Sequence, residues 1–405
     1  MIALLLASLL GGGDPQPVPT AAASGSVTPD LVAQGERAWL SWTETVEGGH
    51  RLRLAPLTAT GFAPARTVAE GEPWFVNWAD FSTFAVGEGG SMVATWLPKS
   101  ADGSYTYDAV FAHAGPGRLT WSAPRKLHRD EVQGEHGVVS LAPIGGGGVA
   151  ACWLDGRAMG GGHGHSGAGA GSMRLYATTI DADGDLGEER LLDDRVCECC
   201  QTAMVRLEDG ALLIAYRDRG AEEERDLGFV RGELGSDGAW SWSAPRAVHR
   251  DGWVIAGCPV NGPALAAGAG GAAVCWFTMG RGGLPRVLVA RLDGSGRTFG
   301  PPIRVDDGLP EGRVDLVLDG AGRFWATWLE RDGEQGVWHL RRVPAAGSFA
   351  GPLSTLPPAL ELARVPLERR SGFLRAAVVG DELLAAWTTP EGIEVTRVAL
   401  PVESE

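Results

Sequence analysis

Tyrosine is scarce in this chain, with 4 among 405 residues. They stand at positions 105, 107, 176 and 216. The last third of the chain therefore has no phenol to offer as nucleophile or proton carrier. Basic residues are also outnumbered, 35 Lys and Arg against 50 Asp and Glu, a net charge of −15. That balance argues against nucleic acid or an anionic membrane surface as a partner. Helical periodicity is missing throughout, so amphipathic helices are not expected. The apolar run at 2–10 is too short to span a membrane, and no transmembrane segment is expected.

What the chain has in abundance is tryptophan, at 15, and glycine, at 60. A short apolar strand ending in an aromatic recurs at Trp42, Trp96, Trp153, Tyr216, Trp276, Trp328 and Trp387. Successive anchors lie 52 to 63 residues apart. A period of that size means one supersecondary unit copied around a ring or along a solenoid. Before each anchor comes a short apolar segment and a Gly-rich turn, as at Asp209-Gly210 and Asp319-Gly320. This is a hairpin signature. After it come a variable loop, a third strand such as 286–290, a turn with an aromatic and a nearby proline, and a short fourth strand. Four strands per unit without helices make an all-β chain of β-propeller type, with seven four-stranded blades. Six blades plus an extra hairpin is the alternative. The last copy lacks a fourth strand, and the segment near Ser26 and Val27 is expected to supply it.

The organisation follows. Residues 1–24 read as an export signal and flexible linker, and residues 25–400 as a single propeller domain. The run at 2–10 suits a signal-peptide core. Export to the periplasm or the extracellular space is expected.

In such a ring the loops between second and third strands share one face with the connections between blades. That face collects most of the chemistry. Cys197, Cys199 and Cys200 lie in the connection into blade four, and Cys258 in the connection into blade five. In an exported protein, cysteines so placed suggest a disulfide from Cys258 to one of Cys197, Cys199 or Cys200. They equally suit a soft metal, copper or zinc, joined by His163 and His165 of a Gly/His tract. Cys152 and Cys275 point instead into blade packing. Arg157, Arg217, Arg219 and Arg225 offer forks for a ligand carboxylate. Trp74, Trp78 and Trp253 suit stacking on a sugar ring, and Asn261 lies beside them as a candidate ligand contact. His128-Arg129-Asp130 and His249-Arg250-Asp251 repeat one another at the ends of fourth strands.

The turn sequences Asp237-Gly-Ala-Trp-Ser-Trp and Asp293-Gly-Ser-Gly-Arg-Thr-Phe resemble the Asp-box of the sialidase (neuraminidase) superfamily. Both depart from the strict Ser-x-Asp-x-Gly-x-Thr-Trp pattern. The resemblance covers about residues 30 to 400 as a repeat pattern. It implies a propeller with its site on the face opposite those turns. In that family a Tyr nucleophile from a late blade works with Glu, an Asp acid/base and three carboxylate-gripping Arg. No Tyr occurs in the last three blades here, and no three arginines match the family's spacing. Tyr216 near Glu222 to Glu224 is the one nucleophile-base candidate the sequence offers, and Tyr216, Glu224 and Asp226 are the catalytic candidates.

Three functions follow as expectations. The first is an exported, sialidase-like propeller that binds a small-molecule or glycan ligand, or a soft metal, on a Cys/Trp/Arg face. The second is an exo-sialidase-like glycoside hydrolase acting on acidic glycans. The third is a copper- or zinc-linked redox protein.

Overall fold

A computed structural model of the chain describes residues 13–118, 120–159, 171–280, 282–344 and 356–401. The apolar leader at 2–10, His163 and His165 lie outside the described residues. Seven antiparallel sheets follow one another along the chain. Their innermost strands are Val27–Gln34, Phe84–Val86, His136–Pro143, Ala203–Arg206, Ala264–Gly268, Pro310–Leu318 and Arg375–Val379. Each contacts the next, and the seventh contacts the first, so the ring has seven blades. No helix among the described residues is long and apolar enough to cross a membrane.

The closing strand differs from the expectation. Gln16 and Pro17 pair with Arg397 and Thr396 at the outer edge of blade seven. Val18 N–H extends the pairing to Val395 O at 2.8 Å. Ser26 and Val27 instead lead into the innermost strand of blade one. A proline fits the closing strand because an outermost strand needs donors on one edge only.

The anchors occupy the second strands, where both faces are covered by neighbouring blades. Trp42, Trp153, Trp276 and Trp328 are fully buried. Burying an indole removes about 150–250 Å2 from water, or roughly 4–6 kcal/mol of transfer free energy. The indole N–H must then find an acceptor. Trp42 donates to Glu44, Trp153 to Asp155 and Trp328 to Glu330, each two residues further along the strand and so on the same face. Trp276 uses Asp251, and the Tyr216 hydroxyl uses Asp193. Asp251 comes from the connection after the fourth strand of blade four, and Asp193 ends the fourth strand of blade three.

A polar clasp joins each blade to the next around the central channel. Asp30 accepts from Phe84 N, Asp80 from Val138 N, and Gln201 Oε1 from Gly262 N. Asn261 Oδ1 accepts from Arg313 N, Asp315 from Ala376 N, and Thr388 Oγ1 from Thr28 N. Ser140 completes the ring by donating to Thr202 O. Three of the clasped N–H groups belong to Thr28, Val138 and Arg313, which have φ of 54°, 52° and 52°. L-residues adopt this left-handed conformation at a cost of about 1 kcal/mol or more. The clasp from the neighbouring blade holds each of them there.

Two outcomes test this construction. Deleting residues 1–18 removes the closing strand and the buried Val18, and should lower stability by about 3 kcal/mol in chemical denaturation. Asn261→Ala strands the Arg313 N–H and should cost about 1–3 kcal/mol by the same measurement.

Candidate functional site

The connections between blades and the loops joining second to third strands crowd one face around the channel mouth. Two assemblies stand there. One is a cavity of about 490 Å3 between blades seven, one and two, lined by Trp78, Phe81, Phe373, Asn77, Thr28 and Arg369 among others. Its aromatic wall is ordered. Trp78 stacks on Phe373 with centroids 5.9 Å apart and planes at 12°, and Phe81 tilts against Phe373 at 6.1 Å. The Arg313 guanidinium lies 4.9 Å from the centre of the Trp78 ring. It also donates to Gly372 O and Glu368 O. Desolvation pulls the Arg313 guanidinium down to about 10. Arg369 is exposed and has no ion-pair partner among the described residues. Phe81 and Phe373 also line the channel, so cavity and channel meet.

The second assembly lies across the mouth and contains most of the residues expected from sequence. Cys199 and Cys258 form a disulfide with their Cα atoms 6.1 Å apart, joining the two connections. The sulfurs of Cys197 and Cys200 share a hydrogen bond at 3.5 Å. That bond, helped by the Arg225 charge and opposed by burial, brings the Cys197 thiol down to about 6. Burial and the Cys197 charge push Cys200 the other way. With the bridge reduced, these sulfurs are the described residues suited to a soft metal. Cys152 and Cys275 are buried in blade packing, and desolvation pushes the Cys152 thiol up to about 12.

The arginines expected to grip a ligand are already engaged. Arg217 is fully buried and donates to the carbonyls of Asn261, Arg225 and Phe277. Its plane lies over Trp253, which is itself buried against Phe277. Arg219 and Arg225 both hold Glu198 and Glu223. Arg157 is paired with Asp155, Asp130 and Glu189. Asn261 is one of the blade clasps. Trp74 is buried between His50 and Trp96, which leaves Trp78 as the tryptophan of the expected three that lines the cavity. Tyr216 is buried and donates to Asp193 at 2.5 Å. Glu224 takes the Glu222 N–H, and Asp226 takes those of Gly252 and Trp253. The structure thus does not bring Tyr216, Glu224 and Asp226 together as a nucleophile, base and acid.

Two groups were missed from sequence. Phe81 and Phe373 lie just before the innermost strands Phe84–Val86 and Arg375–Val379, where an aromatic reads as core. Tyr107 is fully buried, and its hydroxyl lies 2.8 Å from Asp80 and 2.9 Å from Glu135. One phenol proton serves one carboxylate, so the second contact needs a proton on the acid. Desolvation, with the charges of Asp80 and Glu198, pushes the Glu135 carboxyl up to about 8 against the Tyr107 hydrogen bond. Desolvation raises Asp80 to about 6. Near neutral pH, Glu135 then donates to the Tyr107 oxygen, and Tyr107 donates to ionised Asp80.

A further buried set joins blades two and three. The His128 and His136 rings stack at 3.8 Å and 5°, with Asp108 at one edge and Asp130 and Asp155 at the other. Parallel rings aim their nitrogen lone pairs in parallel directions, so they do not converge on one ion. The His128–Asp130 contact at 2.9 Å is repeated by His249–Asp251 at 2.8 Å.

The proton on Glu135 sets a pH dependence. At low pH both folded and unfolded chains hold it. Above about 4.5 the unfolded chain releases it, while the folded chain keeps it to about 8. Stability therefore falls as pH rises through that window. Asp80 adds to the fall between 3.8 and about 6. Ionisation of Cys197, brought down to about 6, adds a rise common to both proteins, so the Glu135 contribution is read as a difference: the urea midpoint of Glu135→Gln should gain on that of the wild type between pH 6 and 8. Equal slopes in both proteins would remove the protonated Glu135.

No protein-family model matches the chain, and no curated protein sequence matches it. Solved structures do. The phage phi92 endosialidase is 10% identical with a TM-score of 0.53, over 98% of this chain and 70% of that one. The polysaccharide lyase Uly1 is 6% identical with a TM-score of 0.52, over 94% of this chain and 91% of that one. At such identities the likeness is one of fold: this chain is built as a propeller similar to theirs.

Proposed function

We propose that this propeller binds an acidic glycan in the cavity walled by Trp78, Phe81 and Phe373. The observation that carries the reading is an ordered aromatic wall beside Arg369, an exposed arginine with no ion-pair partner among the described residues. A sugar presents apolar C–H faces, which pack on aromatic rings, and hydroxyls, which need donors and acceptors. Asn77 Oδ1 is taken by Ala79 N–H, which leaves its amide nitrogen for a ligand. Thr28 adds a hydroxyl at the wall. Arg369 suits a sugar carboxylate through charge-assisted hydrogen bonds. The two solved structures named above are by their titles an endosialidase and a polysaccharide lyase. Both names concern glycans, which supports the ligand class.

Binding is favoured over cleavage. Glycoside hydrolysis usually needs a pair of carboxyl groups flanking the bond. Glu368 is the one carboxylate among the described residues lining the cavity. The Glu198–Arg219–Glu223–Arg225 set is a closed ion-pair network, so the ligand is assigned to the other side of the mouth. The reading includes export, on the strength of the apolar leader at 2–10.

Calorimetric titration with uronate- or sialate-containing oligosaccharides tests it. Trp78→Ala and Arg369→Ala should each weaken binding about tenfold, the equivalent of about 1.4 kcal/mol. Arg219→Ala should leave affinity unchanged. A neutral analogue should bind the wild type as weakly as the acidic one binds Arg369→Ala. Full affinity in both cavity variants would overturn the assignment.

A further inference from the structure

Four of the six cysteines meet at one place, and their sulfurs differ in exposure. Cys197 and Cys200 are 1% exposed, whereas Cys199 and Cys258 are half-buried. The sulfurs of Cys197, Cys199 and Cys200 all lie within 4.8 Å of one another. A thiol pair and a disulfide are therefore in mutual reach. The backbone keeps them so. Cys197 N–H donates to Arg217 O, and Asn261 N–H donates to the Cys200 sulfur at 3.4 Å. Glu198, between Cys197 and Cys199, is held by Arg219 and Arg225. This local arrangement needs an explanation beyond stapling, because a staple uses two sulfurs and here four are gathered.

We propose that these four cysteines form a disulfide relay, in which the bridge moves between the half-buried Cys199–Cys258 pair and the buried Cys197–Cys200 pair. Exchange proceeds by attack of a thiolate on a disulfide sulfur. In the first step ionised Cys197 attacks Cys199 Sγ. The Cys197–Cys199 bond forms, the Cys199–Cys258 bond breaks, and the electron pair leaves on Cys258, which takes up the proton Cys197 released. In the second step ionised Cys200 attacks Cys197 Sγ. The Cys197–Cys200 bond forms, the Cys197–Cys199 bond breaks, and Cys199 leaves as a thiolate and takes up the Cys200 proton. One disulfide and two thiols stand on each side, so no outside oxidant is needed. Cys197 is placed to attack, since its sulfur lies within 4.8 Å of Cys199 Sγ and shares a hydrogen bond with Cys200 Sγ, the next thiol in the sequence of exchanges.

The relay has a chemical consequence. When the bridge lies on the buried pair, the half-buried pair becomes a dithiol facing the same mouth as the glycan cavity. Such a dithiol can exchange with the disulfide of a partner. Cys152 and Cys275 take no part, since both are sealed in blade packing.

The experiment needs no variant at first. Native protein carrying one disulfide is incubated with excess alkylating agent, then unfolded and mapped by mass spectrometry. The relay predicts alkylation accumulating on Cys199 and Cys258 together with a Cys197–Cys200 bridge. A fixed staple would leave Cys199 and Cys258 unlabelled and bridged at all times, which would overturn the proposal. Cys197→Ser should then abolish labelling of Cys199 and Cys258. Labelling that persists in that variant would also overturn it.

Discussion

The ring depends on side chains that hold the backbone N–H groups of the neighbouring blade at the channel. Hydrophobic packing between blades is strong but carries little direction. The clasps from Asp30, Asp80, Gln201, Asn261, Asp315 and Thr388, with Ser140 donating at the remaining junction, fix how each inner strand meets the next. They also allow Thr28, Val138 and Arg313 to sit in a left-handed conformation that an isolated strand would not keep. That backbone turns the connections outward over the mouth, where both assemblies are found. The cost appears as buried carboxyls. Desolvation raises the pKa of Asp80, and burial with the nearby charges of Asp80 and Glu198 keeps the proton on Glu135 against the Tyr107 hydrogen bond.

The same constraint divides the face. On the side of blades three to five, charges are closed on themselves. Arg217 serves three carbonyls, and Arg219 and Arg225 share two glutamates. These contacts order the loops that carry the cysteines and leave the arginines on this side engaged with the protein. On the side of blades seven, one and two, Arg313 takes the supporting role by holding the 368–372 turn and lying against Trp78. The guanidinium of Arg369 and the ring of Trp78 are then left to face a ligand. Among the cavity's arginines, the ligand contact is thus assigned to Arg369, which has no ion-pair partner among the described residues, and support to Arg313, which has several contacts.

Much of this fold was legible in the sequence, because a bulky aromatic at a 52-to-63-residue period is a dense signal. The count of blades and the burial of Cys152 and Cys275 follow from it. The closing strand was not legible, since Gln16-Pro17 is too short to show alternation and carries a proline. Trp78 could be read because a tryptophan in a connection is unusual, whereas Phe81 and Phe373 were hidden beside the inner strands that follow them. Arginines mislead for a different reason. A sequence gives their charge but not their partners, and Arg157, Arg217, Arg219 and Arg225 all have them. Tyr107 escaped because its role comes from two acids that lie 27 residues before it and 28 after it.

The central claim is that a glycan sits against the aromatic wall rather than over the cysteine side of the mouth. Hydrogen exchange of the native protein, with and without an acidic oligosaccharide, locates the footprint directly. The account predicts slowed exchange in residues 76–81 and 368–373, with 197–202 and 253–261 unaffected. Protection confined to 197–202 and 253–261 would contradict it.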